Sequence, residues 1–502
     1  MKKRMTMQFK SQKGNEYLYD DATGLILPWD VEDEVILRQL LAGAKIEEIL
    51  SDQNILRSDK FENKVYYLSY LLNYAGAFRE ECDISVKYPE EDIVDFIGRN
   101  LARQLILSVT DDCNLRCKYC IYSDAYHLTK DKSCKYMTEE TAKQAIDYFF
   151  KLIAPQLKRN PRKKIGITFY GGEPLMNIKT IRYAVKYINR FYKNNVYYML
   201  TTNGLLLNDA NIKFLAENDI GLAISIDGPQ KEHDRLRIRS DGSGSFVQIA
   251  RNIKKLSETY PYYFRTRVNA VCVFDPKTDI EMVEQFYEEL EKTYSIPRAI
   301  FVNKVSDNET NYYEQFSDID NQKHNDRINS LIKKFHERKV ADEDVSSYLS
   351  VIAGGGPMSV IVRRRVDERQ EYCVKGSGAC IPGQKLCVNS SGVFDICERV
   401  NGHNPIGNVE KGIDGNAVLK ILKEYNDIAL GDCSSCPVKK LCGFCYLNFE
   451  TENGFKRNKQ GCAFHREVIK SNLSRYVSIY EDNPDCKYLL NTDTVELDSS
   501  EM

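Results

Sequence analysis

Cys113, Cys117 and Cys120 stand in the run Thr-Asp-Asp-Cys-Asn-Leu-Arg-Cys-Lys-Tyr-Cys, with the spacing Cys-x3-Cys-x2-Cys. Three thiolates in so short a loop hold three irons of a cubane iron–sulfur cluster and leave the fourth open to another ligand. The same loop could be part of a zinc site short of its usual four ligands. Spacing favours the cluster, and the rest of the chain has to decide.

The chain has 502 residues, enough for more than one domain. Its 16 cysteines do not read as a disulfide framework, because nothing marks the chain for export. The start Met1-Lys2-Lys3-Arg4-Met5 is basic, but Gln8, Lys10, Ser11 and Gln12 follow where a signal peptide needs an apolar region. No apolar run reaches membrane-spanning length. A cytoplasmic protein with no membrane partner is expected, with its cysteines serving cofactors. The net charge of −2 offers no general attraction to nucleic acid. The 32 Tyr and 21 Phe are not interleaved with basic residues as in a nucleic-acid platform. The basic runs Lys158–Lys164 and Arg363–Arg365 read as solvated loops, with docking of an acidic peptide or a positive field near the cysteines as the alternative.

The alternation of strand and helix patterns begins near residue 103. Leu105–Val109 reads as a strand that leads straight into the cysteine loop. Thr138 reads as the N-cap of a helix carrying Ala142, Ala145, Ile146, Phe149 and Phe150 on one face. Strands follow at Ile165–Phe169, Val196–Leu200, Leu222–Ile226 and Arg267–Val273. Such repeats predict an α/β fold with a parallel sheet, a partial (β/α)6 barrel, which binds ligands at the carboxyl ends of its strands. The predicted partition is a module at 1–90, a linker at 91–102, the α/β core at 103–325, a connecting segment at 326–371, a cysteine-rich domain at 372–470 and a tail at 471–502. In the first module, a hairpin around residues 16–29 precedes helices near 37–44 and 62–76, an order similar to a winged helix.

Polar clusters close the strands. The second ends in Gly171-Gly172-Glu173-Pro174, where glycines permit close backbone approach and Glu173 suits an ammonium group. The third ends in Thr201-Thr202-Asn203-Gly204. The fourth gives Ser225-Ile226-Asp227-Gly228-Pro229, then His233, Asp234 and Arg237. His233 and Asp234 read as turn residues without a catalytic role.

With these motifs, residues 103–305 resemble the radical S-adenosylmethionine (SAM) enzymes, whose Cys-x3-Cys-x-aromatic-Cys motif is met here with Tyr119 as the aromatic. The resemblance implies a 4Fe–4S cluster on Cys113, Cys117 and Cys120, with SAM on the open iron. It further implies SAM contacts from Tyr119, Gly171, Gly172, Glu173, Asn203, Ser225, Arg237 and Asn269. Glu173 would accept from the amino group, and Arg237 would pair the carboxylate.

Nine more cysteines lie between Cys373 and Cys462. Cys380-x11-Gly392-x4-Cys397 precedes Cys433-x2-Cys436-x5-Cys442-x2-Cys445-x16-Cys462. A pair of zinc ribbons is one reading of such spacing. The pattern resembles the SPASM extension with two auxiliary 4Fe–4S clusters, which makes three clusters in all. By that resemblance Cys373, Cys380, Cys397 and Cys445 hold the first, and Cys433, Cys436, Cys442 and Cys462 the second. The family's x3 between the third and fourth central cysteines is x2 here, which bears on Cys445. Cys387 is left over and reads as a buried strand thiol, an alternative ligand or a contact to substrate sulfur.

SPASM relatives mostly modify peptides or proteins, and the N-terminal module resembles leader-recognition elements that take an extended peptide at a sheet edge. The expected function is that of a peptide maturase. It would make a 5′-deoxyadenosyl radical, take hydrogen from a precursor peptide and install a cross-link, with a cysteine thioether as the expected bond. A reductant such as flavodoxin or ferredoxin would supply electrons. The alternatives are carbon–carbon cross-linking, side-chain oxidation of the anaerobic sulfatase-maturing kind and, from another class, a non-catalytic iron–sulfur or zinc adaptor. No residue stands out as a general base.

Overall fold

The computed structural model describes residues 4–52, 57–81, 92–127, 134–192, 196–364, 380–399, 402–451 and 454–486. Its centre is a sheet of six consecutive parallel strands: β4 (Gln104–Thr110), β5 (Ile165–Gly171), β6 (Val196–Thr202), β7 (Gly221–Ser225), β8 (Val268–Phe274) and β9 (Arg298–Lys304). Period-two alternation sorts their side chains. Leu105, Leu107 and Val109 of β4, with Ile165, Ile167 and Phe169 of β5, sit in the main core. Helix Glu139–Arg159 covers that face with Ala142, Ala145, Ile146, Phe149 and Ile153, and its Thr138 caps it by accepting from Thr141 N.

The sheet continues past β4 into the cysteine-rich region. β10 (Lys385–Val388) pairs parallel with β4, and β11 (Val393–Asp395), β12 (Gly407–Asn408) and β13 (Gly412–Ile413) extend it antiparallel, which makes the sheet mixed. Cys387 is therefore a fully buried strand thiol beside Ile106.

The N-terminal segment forms a separate three-stranded antiparallel sheet, β1 (Thr6–Lys10), β2 (Glu16–Asp20) and β3 (Leu25–Pro28), followed by helices Val31–Leu41, Ile46–Ser51 and Phe61–Tyr70. It has its own core around Leu18, Trp29, Ile36, Leu37 and Val65.

Two expected boundaries shift. Residues 93–101, expected as linker, are helical, because Ile93 and Ile97, one turn apart, bury themselves in the main core. Much of the expected tail from 471 is the body of helix Lys459–Asp482, whose Leu473, Val477 and Ile479 are buried. Residues 487–502, Cys82 and Cys373 lie outside the described residues.

Candidate active site

The cysteine loop leaves the carboxyl end of β4 and is clamped from two sides. Arg116 N donates to Ile238 O at 2.7 Å and Lys118 N to Leu236 O at 3.0 Å. From β5, Gly172 N donates to Thr110 O at 2.8 Å and Glu173 N to Asp112 O at 2.9 Å. This approach explains both glycines. A Cβ on Gly171 would stand 2.2 Å from Thr110 O, and one on Gly172 2.2 Å from Asp112 O. Gly171 also has φ +134°, a conformation that favours glycine. The close approach is to the chain's own cysteine loop.

Glu173 is fully buried beneath that loop. Its Oε1 accepts from Leu175 N at 3.0 Å and Thr202 Oγ1 at 2.8 Å, and its Oε2 accepts from Asn203 N at 2.7 Å. Burial outweighs these donors and pushes its carboxyl up to about 7. Two carboxylate oxygens accept about four bonds, so Oε2 keeps room for a further donor. Asn203 joins the group to the cysteines. Its Nδ2 lies 2.7 Å from Asn114 Oδ1 and 3.8 Å from Cys113 Sγ.

Arg237, expected to pair a carboxylate of SAM, is held by the chain itself. Its Nε donates to Asp227 Oδ2 at 2.7 Å, and both side chains are buried. Tyr119 donates to the same oxygen at 2.6 Å, with the Arg237 guanidinium over its ring. Val273 N donates to Asp227 Oδ1 at 2.9 Å. Asp227 is thus the anchor of this side of the site, and sequence reading passed over it. The signal available was an acidic residue just past a strand end, ten positions before a buried arginine.

His233 backs this anchor. Asp227 N donates to His233 Nδ1 at 3.3 Å, which leaves Nε2 to donate to Ser245 Oγ at 3.0 Å. Burial pushes its imidazole down to about 4, so it is neutral, and it stands in helix Gln230–Leu236 rather than in a turn. Ser225 and Asn269 lie on neighbouring strands, Ser225 beside Val271 and Asn269 beside Ala223. Among the described residues neither hydrogen-bonds to the cysteine loop.

The three thiols act on one another electrostatically, and burial pushes Cys113 up to about 11 and Cys117 up to about 12. Thiolate ligation there would release protons. Among the described residues no group is drawn tightly round a single point as one metal ion requires. Three thiols on one loop are the donor set that a cubane with one open iron would take. Downstream, Cys433, Cys436 and Cys462 all act on Cys442, whose thiol burial pushes up to about 12. Arg457 Nη1 lies 3.7 Å from Cys433 Sγ. Cys397 and Cys445 both border the main core, and Cys380 is half-buried.

Residues 107–290 match the profile of the Radical SAM superfamily. The chain contains a radical SAM domain. Such domains use SAM with a 4Fe–4S cluster. The chain is similar to the radical SAM cyclopropyl synthase TigE of Paramaledivibacter caminithermalis, 23% identical over 74% of this chain and 74% of that protein. It is also similar to a cysteine-type anaerobic sulfatase-maturating enzyme of Clostridium novyi, 29% identical over 37% of this chain. That second match spans 47% of the relative's length. The solved structure of anSMEcpe with bound AdoMet shares the fold at a TM-score of 0.57, with 20% identity over 76% of this chain and 96% of that one. No helix among the described residues is long and apolar enough to cross a membrane.

Proposed function

We propose that the chain is a peptide maturase whose radical starts at the Cys113–Cys120 loop. The observation that carries this is the direct linkage of that loop, at one strand end, to Glu173 and Asn203 at the next two. Bound there, a cluster with one open iron and SAM supply a 5′-deoxyadenosyl radical. The chain's part is to hold and shape. Glu173 offers its remaining lone pair to the SAM amino group. Tyr119 and Arg237, fixed by Asp227, form a rigid wall beside the loop. Gly171, Gly172 and Ser225 stand at neighbouring strand ends, and Asn269, the second residue of β8, lies beside Ala223.

The substrate is a precursor peptide with a leader, taken by the winged-helix-like module at residues 1–90. The product is a cysteine thioether. The peptide then loses two hydrogens. One leaves as part of 5′-deoxyadenosine, and the second departs as a proton and an electron. The SPASM-like region at 372–470 would supply the electron acceptor, with Cys373, Cys380, Cys397 and Cys445 holding one cluster and Cys433, Cys436, Cys442 and Cys462 another. A cytoplasmic flavodoxin or ferredoxin would deliver the first electron.

The similarity to TigE along most of both chains favours a second reading, carbon–carbon bond formation in the same class of peptide. Mass spectrometry of a co-expressed precursor from a neighbouring reading frame, before and after thiol alkylation, separates the two. A thioether product loses two hydrogens and leaves the joined cysteine unlabelled. A carbon–carbon product loses the same mass with every cysteine labelled, and an unmodified peptide removes both readings.

A further inference from the structure

The N-terminal sheet is buried on both faces. Leu18 and Leu27 point into the module's own helices, whereas Phe9 and Tyr19 pack against Val438, Leu441, Ile469 and Leu473 of the cysteine-rich region. These four residues form a platform with two halves. One is the stretch 433–442, which carries three of the four cysteines proposed for the second auxiliary cluster. The other is helix Lys459–Asp482, which carries the fourth, Cys462, in its first turn.

The β2–β3 turn reaches directly into the first half. Lys440 N donates to Asp21 Oδ1 at 2.8 Å, and Lys440 Nζ donates to Ala22 O at 2.7 Å. Tyr19 donates to the same Asp21 oxygen at 3.2 Å. Asp21 is fully buried, and its Oδ2 has no hydrogen-bond partner among the described residues. A buried carboxylate held on one side only is costly to maintain unless its partner loop is fixed. Cys436, in the same stretch, packs against the apolar cluster that joins the two parts.

We propose that Asp21 and Lys440 form a clasp through which filling of the second auxiliary site controls docking of the N-terminal module. The stretch 433–442 has little regular structure of its own, a single short 3-10 turn at Lys439–Leu441. Ligation would join it to the helix through Cys462 and so staple the two halves of the platform into one surface. Metal-binding free energy is folding free energy in such segments. By linkage, docking of the sheet also retains the cluster. Asp21 is a positioning residue in this account, and a chain lacking the cluster would not present its recognition module in place.

The inference rests on the assignment of Cys433, Cys436, Cys442 and Cys462 as ligands, and the test separates the two. Amide hydrogen exchange is followed in the full-length, anaerobically reconstituted protein, with β4–β6 amides as the internal reference. In a Cys442→Ser/Cys462→Ser variant, iron should fall by about four from roughly twelve per chain. Exchange across Tyr17–Ile26 should speed up about tenfold or more. Asp21→Ala, with all cysteines intact, should show the faster exchange and quicker iron loss to a chelator. Asp21→Asn keeps an acceptor for Lys440 N and should restore both. Undiminished iron in the serine variant overturns the ligand assignment. Lost iron with unchanged exchange, or Asp21→Ala matching the unsubstituted protein, overturns the clasp.

Discussion

The Tyr119 hydroxyl donates to Asp227 Oδ2 at 2.6 Å, on the oxygen that Arg237 also holds. The aromatic residue inside the cysteine motif is thereby tied to the end of β7, three strands away. The loop's shape depends on a carboxylate that lies outside the cysteine motif.

Asp227→Ala should therefore be among the most damaging single changes in the core. It strands the buried Arg237 charge and removes the partner of Tyr119 and Val273 N. Losing one member of a buried pair costs about 3–5 kcal/mol. Denaturant titration of the cluster-free chain should show a loss of that size. Lys or Glu changes in the surface pair Lys254–Glu258 should cost about 0–1 kcal/mol.

Gly172→Ala tests the fit of β5 against the cysteine loop. Its Cβ would meet backbone rather than a flexible side chain. The loop must move, so the reconstituted variant should lose about four irons and form no 5′-deoxyadenosine. Full iron content with normal 5′-deoxyadenosine would show that the loop tolerates the shift.

Glu173→Gln keeps the shape of the buried side chain and removes its charge. A hydrogen bond to a charged group contributes about 1.5–3 kcal/mol, so SAM affinity should weaken about 10- to 100-fold. Equilibrium binding of SAM to the reconstituted protein measures this. An unchanged affinity would remove Glu173 from the SAM contacts.

Much of this arrangement was legible in the chain. Repeated strand and helix patterns placed β4 to β8, and the polar residues just past each strand pointed to one rim. The part that stayed hidden depends on contacts between distant segments. Asp227 looks like an ordinary turn residue until Arg237 folds back onto it. β10 is four residues long and lies far downstream, so nothing local announces that it pairs with β4. Tyr17 and Tyr19 alternate with Leu18, a pattern of a one-sided sheet, yet both sides are covered, because the Tyr19 ring packs on the cysteine-rich region while its hydroxyl is satisfied by Asp21. Excision of residues 1–90 would consequently uncover Val438, Leu441 and Leu473, so point substitutions report on the module more cleanly.

His233 gives a pH signature. Its folded imidazole titrates near 4 and its unfolded one near 6.5, so the unfolded state binds more protons between those values. Its contribution is complete above pH 6.5 and is lost as pH falls toward 4, up to about 3 kcal/mol. Glu173, pushed up to about 7, acts with the opposite sign, losing stability as pH rises from about 4.5 to 7. Stability against pH for the protein and for His233→Gln should differ in slope between pH 4 and 6.5 and run parallel above it.

The central claim is that the loop at Cys113–Cys120 starts a radical on SAM. The direct test is 5′-deoxyadenosine formation from SAM under a strong reductant, comparing the reconstituted protein with its Cys113→Ala/Cys117→Ala/Cys120→Ala variant. The account predicts steady production by the first and none by the second. Continued production by the variant would contradict it.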